Sequence, residues 1–303
     1  MMNFKTDSYG KILITSEYAV LKGALALAVP TKFKQSLSFT KKNFEFLVWK
    51  SYDSNNKIWF DCEIELFNIE ILKSSNEKIG KSLISILKAA KKLNPKFLNK
   101  NFKGLVETKL DFPNNWGLGT SSTLINNIAK WANISPYKLL WSNFNGSGYD
   151  IACADSISPI LYQLKNKKPI IEIASFSPNF HKNLFFIHLN KKQDTNKEIK
   201  NFNEKKIDTN LVKYFSKLTN NFLSATNLTD FKSYMLDHEN ILSKELNLIT
   251  VKDKLFKDFE GEIKSLGAWG GDFILAAGPT NSPSYFNKKG YNTVIPFNKM
   301  VKI

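Results

Sequence analysis

Residues 113–123 read Pro-Asn-Asn-Trp-Gly-Leu-Gly-Thr-Ser-Ser-Thr, and they carry the clearest chemistry in the chain. Two glycines, Gly117 and Gly119, are followed at once by three hydroxyl residues, Thr120, Ser121 and Ser122. A glycine turn that opens a helix exposes backbone N–H groups, and the helix N-terminus adds partial positive charge. The combination suits a phosphate. A plainer reading stays open, in which the glycines make a turn and a Thr or Ser caps the helix. Three further segments belong with this loop. Gly10-Lys11-Ile12-Leu13-Ile14-Thr15-Ser16-Glu17-Tyr18-Ala19-Val20-Leu21-Lys22-Gly23 lies near the start, and Lys264-Ser265-Leu266-Gly267-Ala268-Trp269-Gly270-Gly271-Asp272 near the end. Between them, Gly146-Ser147-Gly148-Tyr149-Asp150-Ile151-Ala152 sets a single acid just after a flexible turn.

The elements around these segments follow from hydrophobic period. Leu105 to Leu110 alternates and contains β-branched residues, so a strand feeds the glycine loop. Leu124, Ile125, Ile128, Ala129 and Ala132 recur at helical spacing, so a helix over 120–132 leaves it. Further strands are expected at 12–14, 24–29, 35–39, 44–49 and 58–64. An amphipathic helix is expected over 77–93, through Ile79, Leu83, Ile86, Leu87 and Ala90. Ser135-Pro136 supplies an N-cap and a first helical residue for a helix through Leu139 and Trp141. Strands at 169–173 and 184–189, a helical region over about 195–265 and a late strand at 273–277 complete the expectation. A composition shift near residue 175 divides the chain into 1–175 and 176–303.

The ordered set of motifs resembles the GHMP kinases, the superfamily of galacto-, homoserine, mevalonate and phosphomevalonate kinases. The family's first motif runs approximately P-G-K-x-x-x-x-G-E-x-x-V-x-x-G, which residues 10–23 match at most positions. Its phosphate loop, G-L-G-S-S, appears as Gly117-Leu118-Gly119-Thr120-Ser121, and its last motif appears in altered form at 264–272. Glu17-Tyr18-Ala19-Val20, Gly146 to Ala152 and Gly270-Gly271-Asp272 look most like the phosphomevalonate kinases. The resemblance implies an α+β fold with an N-terminal domain of the ribosomal protein S5 domain 2 type and a ferredoxin-like C-terminal domain. It implies ATP-dependent phosphoryl transfer to a small isoprenoid precursor, with phosphomevalonate as acceptor. The alternatives are a mevalonate kinase or a non-catalytic ligand-binding relative. Gly117, Leu118, Gly119, Thr120, Ser121 and Ser122 would then hold ATP, and Ser121 would help to hold Mg²⁺. Asp150 would lie beside the acceptor, and Lys11 would stand near the transferred phosphate and Asp150. Ser147, Gly148, Gly267, Ala268, Trp269 and Gly270 would contact the acceptor. Glu17 aligns with a family acid and is given no catalytic role. Three departures stand out: Ser16 replaces a glycine, Leu266 and Trp269 replace glycines, and Leu139 occupies the place of the Glu metal ligand of mevalonate kinases.

Composition limits the alternatives. The formal charge of +16 comes entirely from lysine, because the chain contains no arginine. Phosphate recognition must therefore use Lys point charges and backbone N–H groups rather than bidentate guanidinium. The lysines are scattered, and tracts such as Lys41-Lys42, Lys191-Lys192 and Lys205-Lys206 read as solvated surface, so no nucleic-acid partner is expected. No apolar run approaches the roughly 20 residues of a membrane helix. The N-terminus lacks the apolar stretch of a signal peptide, and only Cys62 and Cys153 are present, which fits a cytoplasmic protein. His181, His188 and His238 are isolated in sequence and are expected in surface or strand roles.

Overall fold

The computed structural model describes residues 3–191, 209–267 and 271–303. The chain folds into two compact units. The first comprises Met1–Gly10, Phe33–Asn114 and Gly119–Asp155; the second comprises Lys11–Lys32, Asn115–Leu118 and Ser156–Ile303. Both are discontinuous, because the long strands Asn3–Leu13 and Ala26–Lys41 and the glycine loop each pass from one unit into the other. Residue 175, where composition suggests a boundary, lies inside the second unit.

The first unit lays helices on a mixed sheet. Its strands run in the order Glu70–Ser74, Ile58–Glu65, Leu47–Tyr52, Gly104–Leu110 and the second half of Ala26–Lys41. Leu47–Tyr52 and Gly104–Leu110 are parallel, and the other neighbouring pairs in this order are antiparallel. In Gly104–Leu110 the even positions Val106, Thr108 and Leu110 are buried, as period-two alternation requires. The helix Glu77–Leu93 buries Leu83, Ile86, Leu87 and Ala90, and Asn76 caps it by accepting from the Ile79 N–H at 3.1 Å. Pro136–Asn143 begins at Pro136 with Ser135 as its cap. Phe39, Phe97, Phe102 and Trp131 meet ring to ring at centroid distances of 4.9 to 5.8 Å. This aromatic knot closes the core beneath the helix Thr120–Ala132.

The second unit holds a four-stranded antiparallel sheet in the order Glu262–Ser265, Phe273–Ala277, Leu184–His188 and Val294–Pro296. The helices Thr209–Ser224 and Leu228–Leu246 also belong to it. A hairpin of Ile160–Lys165 and Lys168–Ile173 pairs with residues 26–28. Its turn residues Asn166 and Lys167 both have positive φ, which matches a tight hairpin of the mirror-image turn class.

Several expectations change. The segments expected as separate strands at 24–29 and 35–39 are one strand, Ala26–Lys41, which continues through Pro30. The expected strand at 44–49 sits three residues later, at Leu47–Tyr52. The helical region ends before Glu262–Ser265, which is a strand: antiparallel pairing with the apolar strand Phe273–Ala277 outweighs the helix pattern upstream. The first part of that helical region, 195–208, lies outside the described residues. Among the described residues, no helix is long and apolar enough to cross a membrane. Cys62 and Cys153 are buried and unpaired with each other, and burial pushes the Cys62 thiol up to about 12.

Candidate active site

The glycine loop has the geometry that its sequence requires. Gly117 has φ +67 and Gly119 φ +90, both in the left-handed region that favours glycine. Gly119 itself is the N-cap of Thr120–Ala132, and no side-chain oxygen caps this helix. The reading in which Thr or Ser serves as cap is thereby corrected. The hydroxyls of Ser122 and Thr123 bond backward instead, to the Gly119 carbonyl at 2.8 and 3.1 Å, and Thr123 also donates to Gln35 Oε1 at 2.7 Å. Ser122 is buried, its hydroxyl proton directed to Gly119; Ser121 is exposed and Thr120 half-buried. The helix therefore begins without a capping side chain, and its first-turn N–H groups are the kind that an anion satisfies.

Buried amides hold this helix in place. Asn126 donates to Ser8 Oγ at 3.0 Å, Ser8 donates to Asn127 Oδ1 at 2.7 Å, and Asn127 donates to the Gln35 carbonyl at 2.9 Å. Three apolar side chains at those positions would fill the same space, but this network also fixes the helix's rotation against the strands. Asp150 sits in the first turn of Tyr149–Asp155, where the helix dipole favours a carboxylate, and it is half-buried. Ser147 and Gly148 are buried immediately before it, and Gly148 has φ +87. Leu139, at the place of the mevalonate kinase glutamate, is fully buried in the core.

In the second unit, Lys11 donates through Nζ to the Gly117 carbonyl at 3.2 Å and through its backbone N–H to the Leu118 carbonyl at 2.9 Å. Lys11 is thus tied to the glycine loop. A Cβ placed on Gly117 would overlap the Asp272 side chain, so the last residue of the C-terminal motif lies directly against the loop. Trp116 packs edge-on against Phe273, 5.5 Å between centroids, and His188 Nε2 donates to the Asn115 carbonyl at 3.3 Å. Gly117→Ala is expected to cost about 1–2 kcal/mol from left-handed strain alone, and more from the clash with Asp272. Chemical denaturation reads the cost, and Gly117→Ala/Asp272→Ala, which removes the clashing carboxylate but keeps Cβ, should recover part of the clash component and none of the strain. Gly267 is described, with φ +66; Ala268, Trp269 and Gly270 lie outside the described residues.

The sequence gives no sign of a buried charge cluster in the second unit. Lys264 Nζ donates to Glu17 Oε1, and both side chains are almost fully enclosed. His238 Nε2 lies 3.1 Å from Glu17 Oε2 and accepts the Ser16 N–H at 3.0 Å. Nε2 thus sits between the Ser16 N–H and the Glu17 carboxylate. Burial, and then the Lys264 charge, lower the His238 pKa to about 4. Burial pushes the neighbouring Glu239 carboxyl up to about 8, with Glu17 adding to the rise against Lys264 and Ser265. Burial would raise Glu17 too, yet the Lys264 charge and hydrogen bonding hold it below the usual range. His238 is therefore corrected from a surface or strand residue to a fully buried helix residue.

These shifts set opposing slopes in stability. Between the unperturbed value of 4.5 and about 8, the unfolded chain binds fewer protons at residue 239, so stability falls as pH rises. Between about 4 and 6.5, the unfolded chain binds more protons at residue 238, so stability rises with pH. The two largely cancel below 6.5, and the Glu239 slope stands alone above it. The expected result is a melting temperature that declines from pH 6.5 to 8, read by calorimetry in low-ionisation-enthalpy buffers.

Among the described residues, no cluster of three or more His, Cys, Asp or Glu side chains could hold a metal ion. The donor set present, a Ser121 hydroxyl beside an uncapped helix, fits Mg²⁺ carried on a nucleotide and largely hydrated better than a protein cage.

No family model matches the chain, and no curated protein matches it in sequence. Solved structures do match in fold. The Methanococcus jannaschii mevalonate kinase shares 17% identity at a TM-score of 0.66, covering 97% of this chain and 96% of that one. The Streptococcus pneumoniae phosphomevalonate kinase in complex with phosphomevalonate and AMPPNP shares 15% at 0.67, covering 96% and 97%. The Lactococcus lactis galactokinase complexed with galactose shares 13% at 0.70, covering 99% and 93%. The chain has the α+β fold of the GHMP kinases, as its motifs lead one to expect.

Proposed function

We propose that the chain is an ATP-dependent small-molecule kinase of the GHMP type, whose acceptor is an isoprenoid precursor, phosphomevalonate before others. The observation that carries this reading is the uncapped helix N-terminus behind Gly117 and Gly119, with Lys11 bonded to the same loop. In this reading the N–H groups of the loop, Leu118 included, and the Thr120 and Ser121 hydroxyls receive the ATP phosphates. Lys11 offsets charge on the transferred group. Asp150 accepts the acceptor's proton or orients the acceptor group electrostatically. Bound on the nucleotide with Ser121 as a ligand, Mg²⁺ would neutralise phosphate charge. Ser147, Gly148 and the segment 267–270 would line the acceptor site, and Trp269 would replace a close-approach glycine with an aromatic wall.

Support for phosphomevalonate over mevalonate comes from the Glu17-Tyr18-Ala19-Val20 and Gly-Tyr-Asp signatures, and from the apolar, buried Leu139 where mevalonate kinases carry a glutamate. The alternatives remain a mevalonate kinase or a relative that binds ATP without catalysis, the latter favoured by the altered last motif. Coupled ADP release with Mg²⁺-ATP and a panel of mevalonate, phosphomevalonate, homoserine and galactose separates them. Turnover confined to phosphomevalonate is the expected result. Turnover with mevalonate would reassign the acceptor, and ATP binding without turnover would leave a non-catalytic relative.

A further inference from the structure

We propose that Lys264 is a positioning residue: its buried pair with Glu17, in a cluster closed by His238, Glu239 and Ser265, holds Lys11 and Gly117 in register. The proposal rests on the kinase reading above.

Glu17 sits in an unusual turn. Its neighbours Ser16 and Tyr18 have φ +64 and +63, although neither is glycine. Such conformations cost about 1–3 kcal/mol each and persist only where surroundings over-determine them. Here the surroundings are specific. The Ser16 N–H is held by His238, the Ser16 hydroxyl donates to the Leu25 carbonyl at 2.6 Å, and Thr15 pairs with Thr219 at 2.7 Å. Ser16 thus adopts the conformation of the glycine it replaces, at a cost met by hydrogen bonds.

Both ends of the Lys264–Glu17 pair lead to the glycine loop. Going back along the chain from Glu17, the strand Asn3–Leu13 carries Lys11, which holds the Gly117 and Leu118 carbonyls. Beyond Lys264, the strand Glu262–Ser265 pairs with Phe273–Ala277 in the register Ser265↔Ile274. Asp272 directly precedes that second strand and lies against Gly117. A shift of the pair therefore moves the loop from two sides.

The cluster is poorly arranged for stability alone. Glu17, His238 and Glu239 are all enclosed in it, and His238 Nδ1 is buried without a hydrogen-bond partner among the described residues. Native cores keep few such atoms, and an apolar replacement of a buried ion pair is often neutral or stabilising. What the arrangement does provide is one cation, Lys264, bonded to Glu17 from the turn, and a second buried carboxyl, Glu239, on the helix Leu228–Leu246 that packs against the strand carrying Lys264. While Glu239 keeps its proton, Lys264 belongs to Glu17. Once Glu239 ionises, a second carboxylate competes for the same ammonium and the turn loosens.

Glu239→Gln tests this, because it removes the titration without touching the pair. Mg²⁺-ATP affinity is measured by calorimetry at pH 7 and pH 9, for the native protein and for Glu239→Gln. The native protein is expected to lose about tenfold in affinity across that range, and the variant to stay within about twofold. Lys264→Arg, which keeps the charge but not the point geometry, should bind more weakly at both values. An equal loss of affinity in the native protein and Glu239→Gln would overturn the proposal, as would a native affinity that does not change. A purely structural role would shift the melting temperature of the variants and leave the pH dependence of ATP affinity untouched, which also overturns it. Absence of ATP binding by the native protein at pH 7 would instead overturn the kinase reading, and the positioning role with it.

Discussion

Asp150→Asn is expected to lower turnover by about 10²–10⁴-fold, the usual range for loss of a general base. The substitution keeps the size of the side chain and removes only its charge and basicity. Asp150 is half-buried in the first turn of a short helix and packs no core, so the variant should fold normally. Its own Oδ1 accepts the Ile151 N–H at 3.2 Å, a contact that the Asn oxygen can reproduce. The measurement is coupled ADP release at saturating Mg²⁺-ATP, with circular dichroism to confirm folding. ATP affinity should remain near the native value, because the phosphates are assigned to the 117–122 loop and not to Asp150. Near-native turnover in a folded Asp150→Asn protein would remove this residue from the mechanism. A collapse of ATP affinity would mean that Asp150 serves the nucleotide instead.

The local geometry of the loop is legible because few alternatives exist for it. A strand that alternates through Val106, Thr108 and Leu110, two glycines and a run of helix formers leave little choice but a strand, a tight turn and a helix. What the hydroxyls do there was not legible. Thr120, Ser121 and Ser122 are equivalent as sequence, and only three-dimensional placement shows Ser122 bonded back to Gly119 while Ser121 is exposed. The segment 262–265 was misread for a related reason. Four residues are too few to express a period, and the long helical pattern before them extends naturally across. The buried cluster was invisible for a deeper one. Glu17, His238 and Lys264 are separated by more than two hundred residues at the extremes, and pairwise long-range contacts leave no periodic trace. A buried lysine also looks like any of the other lysines in a chain this rich in them.

Lys264→Met is expected to destabilise the protein by about 3–5 kcal/mol, because it strands an ionised Glu17 in a dry environment. The Lys264 side chain is fully buried and that of Glu17 nearly so, so neither solvent nor salt can replace the lost partner. Glu17→Gln alone should cost less, since the amide is neutral and Lys264 retains the Ser265 carbonyl at 2.9 Å. The double variant Glu17→Gln/Lys264→Met removes both charges, and should recover much of the loss. Urea denaturation of the four proteins at pH 7 closes the cycle, and a coupling energy of at least about 1 kcal/mol is the expected outcome for groups in direct contact. Additive effects would mean that the pair contributes nothing as a pair. The sign has a second consequence. If the double variant is as stable as the native protein yet binds Mg²⁺-ATP more weakly, the ion pair is retained for the geometry of the turn rather than for stability. That combination follows from two strained residues, Ser16 and Tyr18, flanking the charge that Lys264 holds.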